Sequence, residues 1–139
     1  MTSAGGYNPM RYNCKDKGCY NLNLRPKIET FAECFPRKIG MGDVDGIVEI
    51  GSKFLLVEWK SEGGLVTRGQ EIMFERLTKD NEQFVVYVVE GNPVTMEIDE
   101  YTMYFNSSVQ RFTCHDHDGL AELKGSFSSW AEWAEGKQS

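Results

Sequence analysis

The apolar pattern of this chain predicts an α/β fold: a short helix, then a mixed sheet of four or five strands with helices on both faces. Three observations carry that expectation. Residues 41–60, MGDVDGIVEIGSKFLLVEWK, read as two strands joined at Gly51-Ser52, because a Gly-containing dipeptide between short apolar runs is a hairpin signal. Residues 83–89, QFVVYVV, form a nearly continuous β-branched and aromatic run, as in a strand buried on both faces. Segments 67–78 and 118–134 repeat apolar residues at helical spacing. The first of these lies between the hairpin and the apolar run, where a helix makes a crossover to a parallel strand.

In order along the chain, residues 1–24 are rich in Gly, Asn, Tyr and Lys without a period and read as an irregular basic arm on a single domain spanning residues 1–139. Arg25–Phe35 reads as a short helix: Pro26 suits a first turn, Ile28, Phe31, Ala32 and Phe35 follow one apolar face, and Pro36 ends it. In the hairpin, Ile47, Val48 and Ile50 precede the turn and Phe54–Val57 follow it. Ser61-Glu62-Gly63-Gly64 is a loop. Thr67 is placed to cap the next helix, with Gln70 three positions on as its capping-box partner. Gly91-Asn92-Pro93 stops the buried strand, and Thr95–Ile98 reads as an edge strand. Tyr101–Thr113 settles into no single period and fits either a further strand or a covering loop. Asp118 caps a long amphipathic helix whose stripe is Leu120, Leu123, Phe127, Trp130 and Ala134; Trp133 lies off that stripe and suits an interface.

A chain of 139 residues with 40% hydrophobic content suits one domain with its own core. It has no apolar stretch of bilayer length, and the N-terminal segment lacks an apolar signal core. The expected location is the cytoplasm, with no membrane partner. In such a reducing compartment Cys14, Cys19, Cys34 and Cys114 are thiols or metal ligands rather than disulfides. Cys14 and Cys19 have a zinc-ligand spacing, and Cys114 and His117 complete a chemically sensible four-ligand set for a structural Zn2+; ordinary thiols are the plainer reading.

The net charge is −6, yet residues 1–40 carry a net +4 from Arg11, Lys15, Lys17, Arg25, Lys27, Arg37 and Lys38 against Asp16, Glu29 and Glu33. A basic segment on an acidic body is one route to a phosphate backbone. The hairpin adds chemistry. Glu58 and Lys60, two apart on a strand, share a face. Asp45, at the start of the first strand, comes close to both once the hairpin pairs. Two carboxylates with a lysine make a hard-oxygen site for Mg2+ or Mn2+, beside an ammonium able to position water or offset phosphate charge. Neither a Ser-His-Asp nucleophile nor a Gly-rich phosphate loop with Lys-Ser/Thr is present.

Asp45 followed by Glu58-Trp59-Lys60 resembles the PD-(D/E)XK nuclease superfamily, closest to small phage and bacterial nucleases of the VRR-NUC and Holliday-junction-resolvase kind. The likeness runs from about Arg25 to about Glu90 and includes Gln70, which matches a glutamine on the helix after the lysine strand. It departs at the usual Pro-Asp, here Val44-Asp45, with Asp43 as a second candidate ligand. The resemblance implies a restriction-endonuclease-like core and magnesium-dependent hydrolysis of DNA phosphodiester bonds. Asp45, Glu58 and the Trp59 carbonyl would hold the metal. Lys60 and Gln70 would be catalytic, with Glu29 added from the first helix. Arg25, Lys27, Arg37 and Lys38 would meet DNA, a homodimer is a common arrangement, and a phage-encoded member acts in the host cytoplasm. Two other readings stand beside it: a non-catalytic phage protein of this fold that binds a host nuclease or defence complex, and a zinc-stapled nucleic-acid-binding module.

Overall fold

A computed structural model describes residues 26–42, 44–61, 63–64 and 66–136. The chain divides after Gly42 into two units, residues 1–42 and 43–139.

In the first unit the expected helix over Arg25–Phe35 is instead a 3-10 helix, Ile28–Cys34, followed by a second short one, Pro36–Lys38. Pro36 accounts for the break, since the residue before a proline is pushed to extended backbone and Phe35 lies at φ −117°, ψ 154°. The anticipated apolar face is not buried; Phe31 and Phe35 are exposed. At three residues per turn only positions i and i+3 align, so a stripe written for 3.6 residues per turn breaks up.

The second unit is a five-stranded sheet in sequence order, β1 (Gly46–Ile50), β2 (Lys53–Ser61), β3 (Phe84–Gly91), β4 (Ile98–Phe105) and β5 (Ser108–Thr113), with α1 (Arg68–Leu77) and α2 (Gly119–Ala134). β2 and β3 are parallel; the other pairs are antiparallel. The mixed sheet follows from the connections. Gly51 and Ser52, both at positive φ (58° and 68°), form a two-residue turn between Ile50 and Lys53, as a type I′ hairpin turn requires. Gly51 is doubly constrained, because a Cβ there would stand 2.8 Å from the Ala134 carbonyl oxygen. α1 then supplies the crossover that a parallel neighbour needs. Thr67 and Gln70 close the expected capping box at its start.

β3 is the centre of the sheet. Val85–Val89 are all buried, and their alternation builds two layers. Leu55, Val85, Tyr87, Val89 and Tyr101 face α2, against Leu123 and Trp130, while Leu56, Val86, Val88 and Tyr104 face α1, against Phe74. Fully burying one such valine or phenylalanine side chain contributes about 1.5–3 kcal/mol, so β3 anchors both layers.

Three segments take definite form downstream. Of the expected edge strand Thr95–Ile98 only Ile98 is in a strand, as the first residue of β4; Thr95 ends a turn and Met96 lies at φ 64°. Residues 101–113, which no single period described, are most of the β4–β5 hairpin, turning at Asn106-Ser107 with both at positive φ. Trp133 makes internal contacts: it is half-buried, edge-on to Phe105 at 5.7 Å between ring centroids, with the Lys53 ammonium 5.1 Å from its ring centre. The helix from Gly119 begins at the Asp118 cap, whose side chain accepts from the Ala121 N–H. No helix among the described residues is long and apolar enough to cross a membrane.

Candidate active site

The hairpin brings Asp45, Glu58 and Lys60 together. β1 pairs in step with β2 as far as Gly46 opposite Val57. One residue earlier the Asp45 N–H donates to the Val57 carbonyl at 3.0 Å, out of step by one residue as at a β-bulge. This aims the Asp45 side chain along β2, where Oδ2 accepts the Trp59 N–H at 2.6 Å. A residue's N–H and C=O leave an antiparallel strand on the same side. The Trp59 carbonyl therefore faces the side on which Asp45 lies, beyond the end of β1.

Glu58 and Lys60 sit on the face of β2 that meets α1, and the Trp59 side chain packs in the opposite layer with α2. Glu58 is 8% exposed. Its Oε2 lies 3.3 Å from Lys60 Nζ and accepts from Gln70 Nε2 at 3.2 Å. Gln70 Oε1 in turn accepts from Lys60 Nζ at 3.1 Å. The same oxygen accepts from the Thr67 N–H at 3.1 Å, while the Gln70 N–H donates to Thr67 Oγ1 at 3.1 Å. Gln70 thus closes the capping box and contacts Glu58 and Lys60 at the same time. The helix start fixes the amide, and the amide bridges the glutamate and the lysine.

Burial raises the Glu58 pKa above its ordinary value, and the neighbouring Asp45 charge raises it further. Lys60 and Gln70 oppose that shift without cancelling it. A nearly buried carboxylate beside a second carboxylate is a site short of positive charge. Among the described residues Glu58 Oε1 has no hydrogen-bond donor, because both contacts fall on Oε2. Asp45, Glu58 and the Trp59 carbonyl form an all-oxygen donor set, which suits a hard divalent cation.

Lys60 opens into a cleft of about 370 Å³ on the α1 side of the sheet, at the carboxyl ends of β2 and β3. The carboxyl ends of parallel strands are where open α/β sheets place ligands. Glu90 lies beside Lys60 in register, and Glu100 lies beside Glu90. Glu100 pairs with Arg111 at 2.7 Å, and Glu90 Oε2 accepts the Gly63 N–H at 3.0 Å, tying down the loop after β2. The sequence pattern did not single out Glu90, Glu100 and Arg111. The in-register row Lys60–Glu90–Glu100 is the signal that would have found the two glutamates, and it requires the β2–β3 and β3–β4 pairings; Arg111, opposite Thr102, enters only with β5.

No protein-family model, curated protein or solved structure matches the chain.

The other expected site residues divide as follows. Arg25, Asp43, Cys14 and Cys19 lie outside the described residues. Glu29, Lys27, Arg37 and Lys38 belong to the first unit, with Arg37 and Lys38 in its second 3-10 turn. Cys114 is buried just after β5, and His117 lies in the turn before α2.

Proposed function

We propose that this chain is a divalent-metal-dependent DNA nuclease, an endonuclease hydrolysing phosphodiester bonds on a restriction-endonuclease-like core. The observation that carries the reading is the convergence of Asp45, Glu58 and the Trp59 carbonyl next to Lys60, with Gln70 bridging the Glu58 and Lys60 side chains. Chemistry of the cleft supports it. Glu71, Glu90 and Glu100 outnumber Lys60 and Arg111 along its walls, and Lys60 is itself paired with Glu58 at 3.3 Å. A polyanion meets net repulsion there unless a cation is present.

Mg2+ or Mn2+, held by Asp45, Glu58 and the Trp59 carbonyl, would supply a lowered water pKa and a counter-charge for the phosphate. Lys60 would position the attacking water and stabilise charge developing on phosphate oxygens. Gln70 would keep Lys60 directed at the cleft. Lys27, Arg37 and Lys38, with Arg25, would meet backbone phosphates, and Glu29 is the acid that the resemblance would add.

The test is a cleavage panel of linear duplex, nicked, flapped, junction and single-stranded DNA, with Mg2+ and with Mn2+, using the natural chain and Asp45→Asn. Metal-dependent cleavage that disappears in Asp45→Asn is expected. Failure to cut any member with either metal, by a folded protein, would sink the enzyme reading and leave a binding role.

A further inference from the structure

Outside the residues that line the cleft, Cys114, His117 and Glu122 each offer one ligand-type atom, all within 4.8 Å of one another. From this cluster we propose a structural zinc site formed by Cys114 Sγ, His117 Nε2 and Glu122, with a solvent molecule in the fourth position, joining the end of β5 to the first turns of α2. It does not rest on the nuclease reading.

The donor set selects the metal. A thiolate, an imidazole and a carboxylate are all zinc ligands, whereas the all-oxygen set around Asp45 suits harder ions. Two anionic ligands and one neutral ligand also balance a dication, with Cys114 giving up its proton on binding. Tetrahedral zinc, with bonds of about 2.0–2.3 Å, places its ligands about 3.3–3.8 Å apart. Binding would draw the more distant ligand atoms, now within 4.8 Å of one another, together and replace the direct His117–Glu122 contact with bonds to the metal.

The surroundings already orient the ligands. His117 Nδ1 is 2.8 Å from Asp116 Oδ1, and Nε2 meets Glu122 Oε1. Ligating histidines characteristically give their other ring N–H to a carboxylate, and Asp116 is placed to take it. The other oxygen of Glu122 accepts from the Tyr101 hydroxyl at 2.5 Å, so β4 holds this carboxylate in place. The Cys114 N–H donates to the Asp99 carbonyl at 2.8 Å. Gly119 lets α2 start against this cysteine: a Cβ there would fall 2.8 Å from Cys114 Cβ and 2.5 Å from the Ile98 carbonyl oxygen. Cys114 is 5% exposed, while the His117 side chain is 43% exposed. The cluster is closed on the protein side and open on the other, as a fourth solvent ligand requires.

Cobalt(II) titration of the metal-free, reduced full chain tests the proposal. Expected are one high-affinity ion per chain, tetrahedral d–d bands, and a thiolate-to-cobalt charge-transfer band that zinc displaces. Cys114→Ser should remove the charge-transfer band, while the Cys14→Ser/Cys19→Ser double variant keeps it. His117→Ala and Glu122→Gln, at more exposed positions, should weaken binding more than tenfold even if Cys114→Ser fails to fold. Asp116→Asn and Tyr101→Phe should weaken it about 10- to 100-fold. Zinc should raise the melting temperature of the natural chain and not that of His117→Ala. The proposal is overturned if no charge-transfer band forms, if it follows Cys14 and Cys19 instead, or if His117→Ala and Glu122→Gln bind cobalt as the natural chain does, which would leave an ion pair only.

Discussion

Asp45 Oδ2 accepts the main-chain N–H of Trp59 at 2.6 Å, so a carboxylate at the start of β1 is fixed between the Glu58 and Lys60 positions of β2. Asn at position 45 retains an oxygen able to accept that bond but loses the charge. Asp45→Asn should therefore keep the fold, measured by circular dichroism and thermal unfolding, and lose metal-dependent cleavage. Near-normal cleavage by Asp45→Asn would transfer the ligand role to Asp43. Cleavage that persists in the Asp43/Asp45 double variant would remove the nuclease reading from this hairpin.

Glu58 makes metal-free stability depend on pH with a definite sign. Its folded-state pKa is raised, so the folded chain holds the proton more tightly than the unfolded chain. Stability then falls as pH rises from the unfolded value of 4.5 through the folded value. Above that window the ionised group stays unfavourable unless a cation compensates. Glu58→Gln should flatten this part of the profile and leave metal-free stability at pH 7 unchanged or higher, even though its ion pair with Lys60 is gone. Urea unfolding in chelator at pH 4–8 checks it; a clear drop in stability at pH 7 would contradict the balance of burial, Asp45 and Lys60 at this site.

Lys60→Ala should separate binding from chemistry. Metal affinity, measured by calorimetry, should be retained, since the lysine is no metal ligand. The cleavage rate should fall by about a hundredfold or more, the scale at which groups that stabilise transition-state charge act. An equal effect on metal affinity and rate would make Lys60 a structural partner of Glu58 only.

Thr67→Ala and Gln70→Ala divide the two roles of Gln70. Thr67→Ala removes the cap and should cost about 1 kcal/mol of stability, with kcat nearly unchanged because Gln70 still bridges Glu58 and Lys60. Gln70→Ala should cost similar stability and also lower kcat. Equal kcat decreases in the two variants would mean that the cap alone matters.

Lys27→Ala and Arg37→Ala should each weaken DNA binding without metal across all sequences. Each should also reduce the salt slope by about 1, as expected when one fewer phosphate is neutralised. Fluorescence anisotropy at several salt concentrations measures this. An unchanged slope in both variants would place the DNA interface elsewhere.

Some of this architecture is written in short-range pattern. Alternation along a strand puts Glu58 and Lys60 on one face whatever lies around them, and the Gly51-Ser52 turn brings Asp45 to their side. The Thr67–Gln70 box is equally local, since both partners lie within one helical turn. The central position of β3 follows from an apolar run that leaves no face for water. Each feature depends on residues close in the chain, where geometry allows few alternatives.

Other features required the assembled sheet. Asn106-Ser107 is a weaker turn signal than a Gly-containing pair, so β4 and β5 were not separable before their pairing was known. Glu90, Glu100 and Arg111 enter the cleft through register across strands, which is set by packing both layers at once. Tyr101 and Glu122 reach the Cys114–His117 pair because α2 docks its first turn against β4, a long-range arrangement without a periodic signature. The 3-10 geometry of Ile28–Cys34 likewise escaped the pattern, because the same apolar spacing is compatible with a helix whose tighter winding leaves its stripe unburied.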